Sequence, residues 1–352
     1  MINKTCFLCL LFFILQPWVH GAGLSLAGDW RVSLDDPYAD TVGCKWRDVR
    51  LPGTLDDASI GEPLGLTPEL NFRVLTRLQR KVNYVGPAWY SREVVIPDEW
   101  AGRSIILELE RVLWKSTVFV DGRECGSQES LATPHRFDLG KVLTPGKHTV
   151  TLKIDNREIY SNVSHKIPRY QFPENMNVGH AYTNHTQIMW NGVLGGLRLY
   201  ATDAVRIDGV SVATKGGALN VSIKLFSDNF SGRQNIKAVL RRRNDSGIIA
   251  RYSHPIDIKP GSGNESISWS VPGHVKIERW DEFSPALYEI ELGVENSKAD
   301  PVRVTFGFRE LTAQDGAFWL NGRRIFLRGT LNCAEFPLTG YPPRTRTLGG
   351  EL

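Results

Sequence analysis

From Gly28 onward, apolar residues recur mostly at every second position, the period of half-buried β-strands. Ile105, Leu107 and Leu109 alternate with Ile106, Glu108 and Glu110, and Val150, Leu152 and Ile154 alternate with Thr151, Lys153 and Asp155. This spacing puts one set of side chains on a core face and the other toward solvent. Asp121-Gly122 and Asn321-Gly322 each separate two apolar runs, as a two-residue hairpin turn with positive φ at both positions requires. A helix is predicted only over residues 69–81, where Leu70, Val74, Leu75 and Leu78 keep helical spacing.

A second run of alternating segments follows Ala204: Leu219, Val221, Ile223 and Leu225, then Ile267, Trp269 and Val271, then Tyr288, Ile290 and Leu292. Short strands at regular spacing predict a sandwich, with the polar stretches 227–234 and 259–266 as turns. The boundary between the two sets falls near Thr202-Asp203. From Phe318 the pattern is a hairpin followed by a strand, Phe318-Trp319-Leu320 and Ile325-Phe326-Leu327 around Asn321-Gly322. A loop containing Pro337, Gly340, Pro342 and Pro343 comes next.

A chain of 352 residues holds two β-domains with proper cores. Hydrophobic residues at 41% and charged residues at 23% exclude disorder and a membrane bundle. Lys and Arg outnumber Asp and Glu only 42 to 38, and the basic run Arg241-Arg242-Arg243 reads as a solvated strand end, so no nucleic-acid partner is expected. At the N-terminus, Lys4 precedes an apolar run from Cys6 to Leu15, Pro17 breaks the pattern, and Val19-His20-Gly21 suits a cleavage site. Residues 1–21 are therefore predicted to be a removed signal peptide. The run is shorter than the roughly 20 apolar residues of a membrane span, and Cys6 and Cys9 lack the small preceding residues of a lipoprotein signal. The expected location is periplasmic or extracellular, with no membrane attachment after cleavage. Cys44, Cys125 and Cys333 then remain, too widely spaced for a disulfide framework or a zinc site, and are predicted to be buried free thiols. Neither metal nor cofactor is expected.

Several blocks, taken in order, resemble family 2 glycoside hydrolases. AWYSREVVIPDEWAGRSIILELERV (88–112), TVFVDGRECGSQES (117–130) and HTVTLKIDN (148–156) are similar to that family's N-terminal sugar-binding jelly roll. HTQIMWNGVLGGLRLYA (185–201) is similar to its closing motif. SPALYEIEL and FGFRE resemble the immunoglobulin-like domain that follows, and FWLNGRRIFLRGTLNCAEFPLTGYPP (318–343) the start of the family's (β/α)8 barrel. The implied fold is all-β: a jelly-roll β-sandwich over 22–203, an immunoglobulin-like β-sandwich over 204–309, and an incomplete barrel start over 310–352. The resemblance also implies an exo-acting retaining glycosidase lineage, in which two carboxyl groups about 5–5.5 Å apart act as acid/base and nucleophile. Those glutamates belong to later barrel strands, in a barrel of about 250 residues. They have no counterpart here, so no catalytic residue is assigned. The tail after Pro343 departs from the family's pattern, and a truncated enzyme, inactive alone, is the expectation.

The resemblance assigns candidate carbohydrate-binding residues. In the family, the loop before the jelly roll's closing motif can approach the terminal-sugar subsite, and the matching positions are His185, Thr186, Gln187, Trp190 and Asn191, with His180 and Asn184 just upstream. Amides and imidazoles both donate and accept, as sugar hydroxyls require. Trp190 suits stacking on a pyranose or anchoring a core, and His185 or Asn191 suits a sugar contact or a loop-fixing hydrogen bond. Arg328 suits support of catalytic carboxylates or a structural ion pair, and Glu335 is the carboxylate of the barrel-start loop. Cys333-Ala334 stands where family members commonly carry a His-Glu pair, which argues against a divalent-ion site. Trp30, Trp46, Trp89, Trp100 and Trp114 read as packing residues. Alternative roles are a free-standing carbohydrate-binding module, a partner of a separately encoded barrel, or an adhesion protein built of sandwiches. The oligomeric state is not encoded in any of these signals.

Overall fold

The computed structural model describes residues 23–39, 43–63, 82–130, 133–140, 142–157, 190–243, 247–297, 299 and 301–329. The predicted helix over 69–81 and the predicted signal peptide lie outside them. The described chain is built of strands, with a short 3-10 turn at Asp98–Trp100, and none of its helical segments is long and apolar enough to cross a membrane. It divides into two units, one over 23–200 and one over 201–331.

The first unit contains β1 (Gly23–Ser25), β2 (Gly28–Ser33), β3 (Arg47–Leu51), β4 (Gly53–Thr54), β5 (Glu62–Pro63), β6 (Val82–Asn83) and β7 (Pro87–Ile96). It continues through β8 (Ser104–Val112), β9 (Lys115–Val120), β10 (Arg123–Glu129), β11 (His135–Asp138), β12 (Gly146–Asp155) and β13 (Gly192–Thr202). One sheet runs β1-β13-β8-β11 with β4 beside β13, and the other runs β10-β9-β12-β7-β2-β3. Between them lie Trp30, Tyr90, Leu107, Leu109, Leu152, Ile154 and Leu199, all at most 2% exposed. The alternating positions of β12 thus meet those of β8 in the core, as the period-two pattern predicts.

The open face of β8 differs from expectation. Ile106 and Glu108 are each 4% exposed, although alternation assigns them to solvent. The cause is a polar clasp: β11 pairs Arg136 directly with Glu108, whose two oxygens accept from Arg136 Nε at 2.6 Å and Arg198 Nη2 at 2.7 Å. A buried carboxylate persists only with such compensation. The Asp121-Gly122 turn is as predicted, with φ of 48° and 81°. Trp30, Trp89, Trp100 and Trp114 are buried, and Trp46 is half-buried beneath the Arg31 guanidinium. Cys44 and Cys125 are free thiols but only half-buried, because each sits in an edge segment, and Cys333 lies outside the described residues.

The second unit contains β14 (Val205–Lys215), β15 (Ala218–Ser227), β16 (Gly232–Arg242), β17 (Ile248–Ile258), β18 (Gly261–Ser270), β19 (Tyr288–Val294) and β20 (Val302–Phe306). Its sheets, β14-β15-β18 and β17-β16-β19-β20, enclose Leu219, Val221, Ile223, Ile236, Leu240, Ile290 and Leu292. The stretch 259–266 is not the predicted turn. Gly261 to Ser266 belong to β18, an edge strand whose ladder runs from Gly261 against Ser227 to Ser270 against Ala218. Backbone pairing with β15 overrides the turn-like composition, because exposed small and polar residues cost an edge strand little.

Beyond it, β21 (Leu311–Gln314), β22 (Ala317–Leu320) and β23 (Arg323–Ile325) form a three-stranded antiparallel sheet. The Asn321-Gly322 turn has φ of 53° and 82°, as its sequence predicts, and Asp315-Gly316 forms a second such turn that the pattern did not reveal. The predicted last strand stops at Ile325, so Phe326 and Leu327 lie outside regular structure, with Phe326 83% exposed.

Candidate functional site

The polar groups of the first unit concentrate where β12 ends and β13 begins. β12 closes on Asp155, followed by Asn156 and Arg157; the described chain resumes at Trp190-Asn191 and enters β13 at Gly192. Two buried asparagines tie these stems together. Asn156 Nδ2 donates to the Tyr84 carbonyl at 3.0 Å and the Trp190 carbonyl at 3.3 Å, while its Oδ1 accepts from the Gly86 N–H at 2.8 Å. Asn191 Nδ2 donates to the carbonyls of Gly86 and Ile154, both at 3.0 Å, and its Oδ1 accepts from the Tyr90 hydroxyl at 2.9 Å. The Tyr84 hydroxyl donates to the Pro87 carbonyl at 2.5 Å. Side-chain amides are suited to this task, because one group satisfies a donor and an acceptor of neighbouring backbone together. Gly192 completes the stem: at φ 145°, a Cβ there would stand 2.2 Å from the Gly53 carbonyl oxygen. Only glycine permits that approach.

Electrostatics fix the protonation of this frame. Burial alone would raise the Asp155 carboxyl, but the Arg157 guanidinium and backbone N–H, helped by Lys153, outweigh it and hold Asp155 below its ordinary value. The contact is two-pronged, Arg157 Nη2 to Oδ2 at 2.5 Å and Nε to Oδ1 at 3.0 Å. Burial, reinforced by the Asp155 charge, pushes the Tyr84 phenol up to about 12. Burial and then Tyr84 push Tyr90 up as well. At neutral pH the cluster therefore consists of an ionised, paired carboxylate and two protonated phenols that act as donors. It holds neither the free acid nor the free base that proton transfer needs. What it does is tie Asn156, Trp190 and Asn191 into one hydrogen-bonded frame.

The sequence-assigned residues divide accordingly. Trp190 and Asn191 are brought together at the stem. Trp190 is half-buried, and Asn191 is 2% exposed, with its amide committed to Tyr90, Gly86 and Ile154. His185, Gln187 and Glu335 lie outside the described residues, as do Thr186, His180 and Asn184. Arg328 belongs to the second unit, where it is exposed and its guanidinium stands 5.9 Å from the Phe326 ring centroid. Sequence reasoning missed Tyr84, Asn156 and Arg157. The available signal was Asp155-Asn156-Arg157 immediately after the clean alternation of β12, a polar triplet where a strand ends. Among the described residues, no group of three or more His, Cys, Asp or Glu side chains is placed to hold a metal ion.

The comparisons agree with this architecture. Residues 24–166 match the glycosyl hydrolases family 2, sugar binding domain. A β-galactosidase of Thermoanaerobacterium thermosulfurigenes is 24% identical over 275 residues, 75% of this chain and 36% of that protein. A β-glucuronidase of Rattus norvegicus is 23% identical over 296 residues, 76% of this chain and 42% of that protein. The chain thus spans well under half the length of both. The solved β-glucuronidase of Bacteroides uniformis superposes with a TM-score of 0.66 at 18% identity, over 94% of this chain and 38% of that one. The β-D-mannosidase of Dictyoglomus thermophilum superposes with a TM-score of 0.60 at 16% identity, over 87% and 40%. At such identities the superpositions establish the fold, and the family match is to the sugar binding domain of the family 2 glycosyl hydrolases over residues 24–166.

Proposed function

We propose that this chain is the N-terminal portion of a secreted, retaining exo-β-glycosidase of family 2. In this reading its jelly roll holds the 158–189 segment so that His185 and Gln187 reach the terminal sugar, with Trp190 at the segment's base. What carries it is the match of residues 24–166 to the family 2 sugar binding domain, supported by the hydrogen bonds of at most 3.3 Å that tie Asn156 and Asn191 into one frame. Residues 1–21 direct export. The two carboxylates of a retaining mechanism must face each other across the glycosidic bond. In this reading no such pair of carboxylates is assigned among these residues, and the polypeptide tested by itself is expected to bind sugar weakly without hydrolysing glycosides.

Incubation of the purified polypeptide with 4-nitrophenyl β-galactoside, β-glucuronide and β-mannoside tests this. No release of nitrophenol is the expected outcome, and turnover that persists through repeated purification overturns it. A second reading, a free-standing carbohydrate-binding module, is favoured by a jelly-roll core that is closed within residues 23–200, with Ile105, Leu107, Leu109, Val150 and Leu152 all at 0% exposure. Calorimetric titration with oligosaccharides separates the two. Tight binding of an oligosaccharide supports the module, whereas weak binding of a terminal monosaccharide supports the enzyme fragment.

A further inference from the structure

A second polar site lies in the other unit. An open cleft of about 230 Å³ is lined by Lys215, Arg279, Arg309 and Glu310 over a floor that includes Ile277 and Phe308. Its walls are cross-tied. Thr214 Oγ1 donates to the Arg309 carbonyl at 2.8 Å and accepts from the Arg309 N–H at 3.0 Å. Asn321 Oδ1 accepts from the Glu310 N–H at 3.0 Å, and Asn321 Nδ2 donates to the Trp280 carbonyl at 3.0 Å. The β14–β15 turn, the segment before β21 and the β22–β23 turn are thereby locked around the opening. Arg309 lies over the Trp280 ring, 4.9 Å from its centroid, which holds the guanidinium in place without neutralising it.

The charge of the cleft is unbalanced. Three cationic side chains face one carboxylate, whereas four other arginines of this unit are paired: Arg206 with Asp208, Arg242 with Glu278, Arg303 with Glu291 and Arg323 with Glu282. Lys215, Arg279 and Arg309 form no ion pair among the described residues. Like charges held together at a concave surface raise the local concentration of anions, and a guanidinium binds a carboxylate through two parallel hydrogen bonds. The Glu310 carboxylate accepts only from donors, so it selects a ligand that also carries hydroxyl groups. The volume is below the roughly 300–1,000 Å³ of pockets that enclose drug-sized ligands, which limits the occupant to one small ring or its equivalent.

We propose that this cleft binds a hydroxylated carboxylate, a single uronic-acid unit, with its carboxylate toward Lys215, Arg279 and Arg309 and a hydroxyl toward Glu310. The carbohydrate reading above enters only in the choice of a sugar acid, and the site is independent of the 158–189 segment. Calorimetric titration of the full chain with D-glucuronate, D-glucose and acetate tests it. Glucuronate is expected to bind saturably, to weaken with added salt, and to lose at least tenfold in affinity in Arg279→Gln and in Lys215→Gln. Both side chains are exposed, and unchanged urea midpoints confirm that these variants remain folded. Glucose and acetate are each expected to bind at least tenfold more weakly than glucuronate. Absence of saturable glucuronate binding overturns the proposal, as does equal affinity in the charge variants. Acetate binding as tightly as glucuronate overturns the sugar-acid assignment. Failure of the glycosidase reading alone would leave all these results in place.

Discussion

The two sandwiches bury different kinds of side chain. In the first, Asp56, Ser91, Glu108, Ser116, His135, Thr151, Asp155, Asn156 and Asn191 are all below 9% exposure, each held by a specific partner or paired strand. In the second, the buried polar side chain among the described residues is Ser227, and the core is formed mainly by Ile, Leu, Val and aromatic residues. Its charges sit at the rim instead, in pairs such as Lys237–Glu295 and Arg303–Glu291. Apolar packing supplies most of the stability of a fold but little directional information. A buried hydrogen-bond network works the other way: it is costly if incomplete and it fixes geometry when complete. The contrast separates a first sandwich whose interior directions are fixed by hydrogen bonds from a second whose interior is held by apolar packing.

Removing an anchor from the first sandwich is therefore the most damaging single change. Asn191→Ala leaves the Tyr90 hydroxyl and the carbonyls of Gly86 and Ile154 without their partner. At about 1–3 kcal/mol for each buried group left unsatisfied, the loss is on the order of 4 kcal/mol. Urea denaturation followed by tryptophan fluorescence reads it directly. A loss below about 1 kcal/mol would mean that water replaces the amide, and the frame would not depend on Asn191. Next in size is Glu108→Gln, which removes the charge that Arg136 and Arg198 enclose while keeping the shape. Breaking a buried ion pair costs about 3–5 kcal/mol, but both arginines are partly solvated, so a loss of about 2 kcal/mol is expected. In the second sandwich, Ile290→Val removes one methylene from a fully buried position and is expected to cost about 1 kcal/mol. Equal effects of Asn191→Ala and Ile290→Val would erase the distinction between the units.

How much of this was readable beforehand follows the same division. Period-two alternation located the core positions of β8, β12, β15 and β19, because burial on one face is a local property of a strand. Hairpin turns at Asp121-Gly122 and Asn321-Gly322 were legible because positive φ restricts residue choice. The burial of Glu108 was not, since it depends on Arg136 and Arg198, which lie 28 and 90 residues away in sequence. The same holds for the two asparagines: Asn156 bonds to Gly86 across 70 residues and Asn191 to Tyr90 across 101. The strand at Gly261–Ser270 was hidden by its Gly, Ser and Asn content, which an exposed edge tolerates.

Proton linkage gives a finer separation of the two units. Asp155 is held below its ordinary value in the folded chain, so folding favours its ionised form. Its contribution is fully present above the ordinary carboxylate range and is lost as pH falls through the depressed folded value. Stability of the whole chain should therefore decline as pH drops below about 4, the ordinary range for aspartate. Asp155→Asn should flatten that decline while lowering stability at neutral pH. A decline of unchanged slope in the variant would remove Asp155 from the account. The matching change at the rim of the second sandwich is Arg303→Gln. Arg303 Nε lies 2.7 Å from Glu291 Oε2, but the arginine side chain is 55% exposed, so water and salt recover most of what the pair contributes. Exposed pairs are typically worth about 0.2–1 kcal/mol, and an effect within about 0.5 kcal/mol is expected here, shrinking further in high salt. An effect as large as that of Glu108→Gln would show that the second sandwich also depends on directed charge, and the division of labour between the two sandwiches would have to be redrawn.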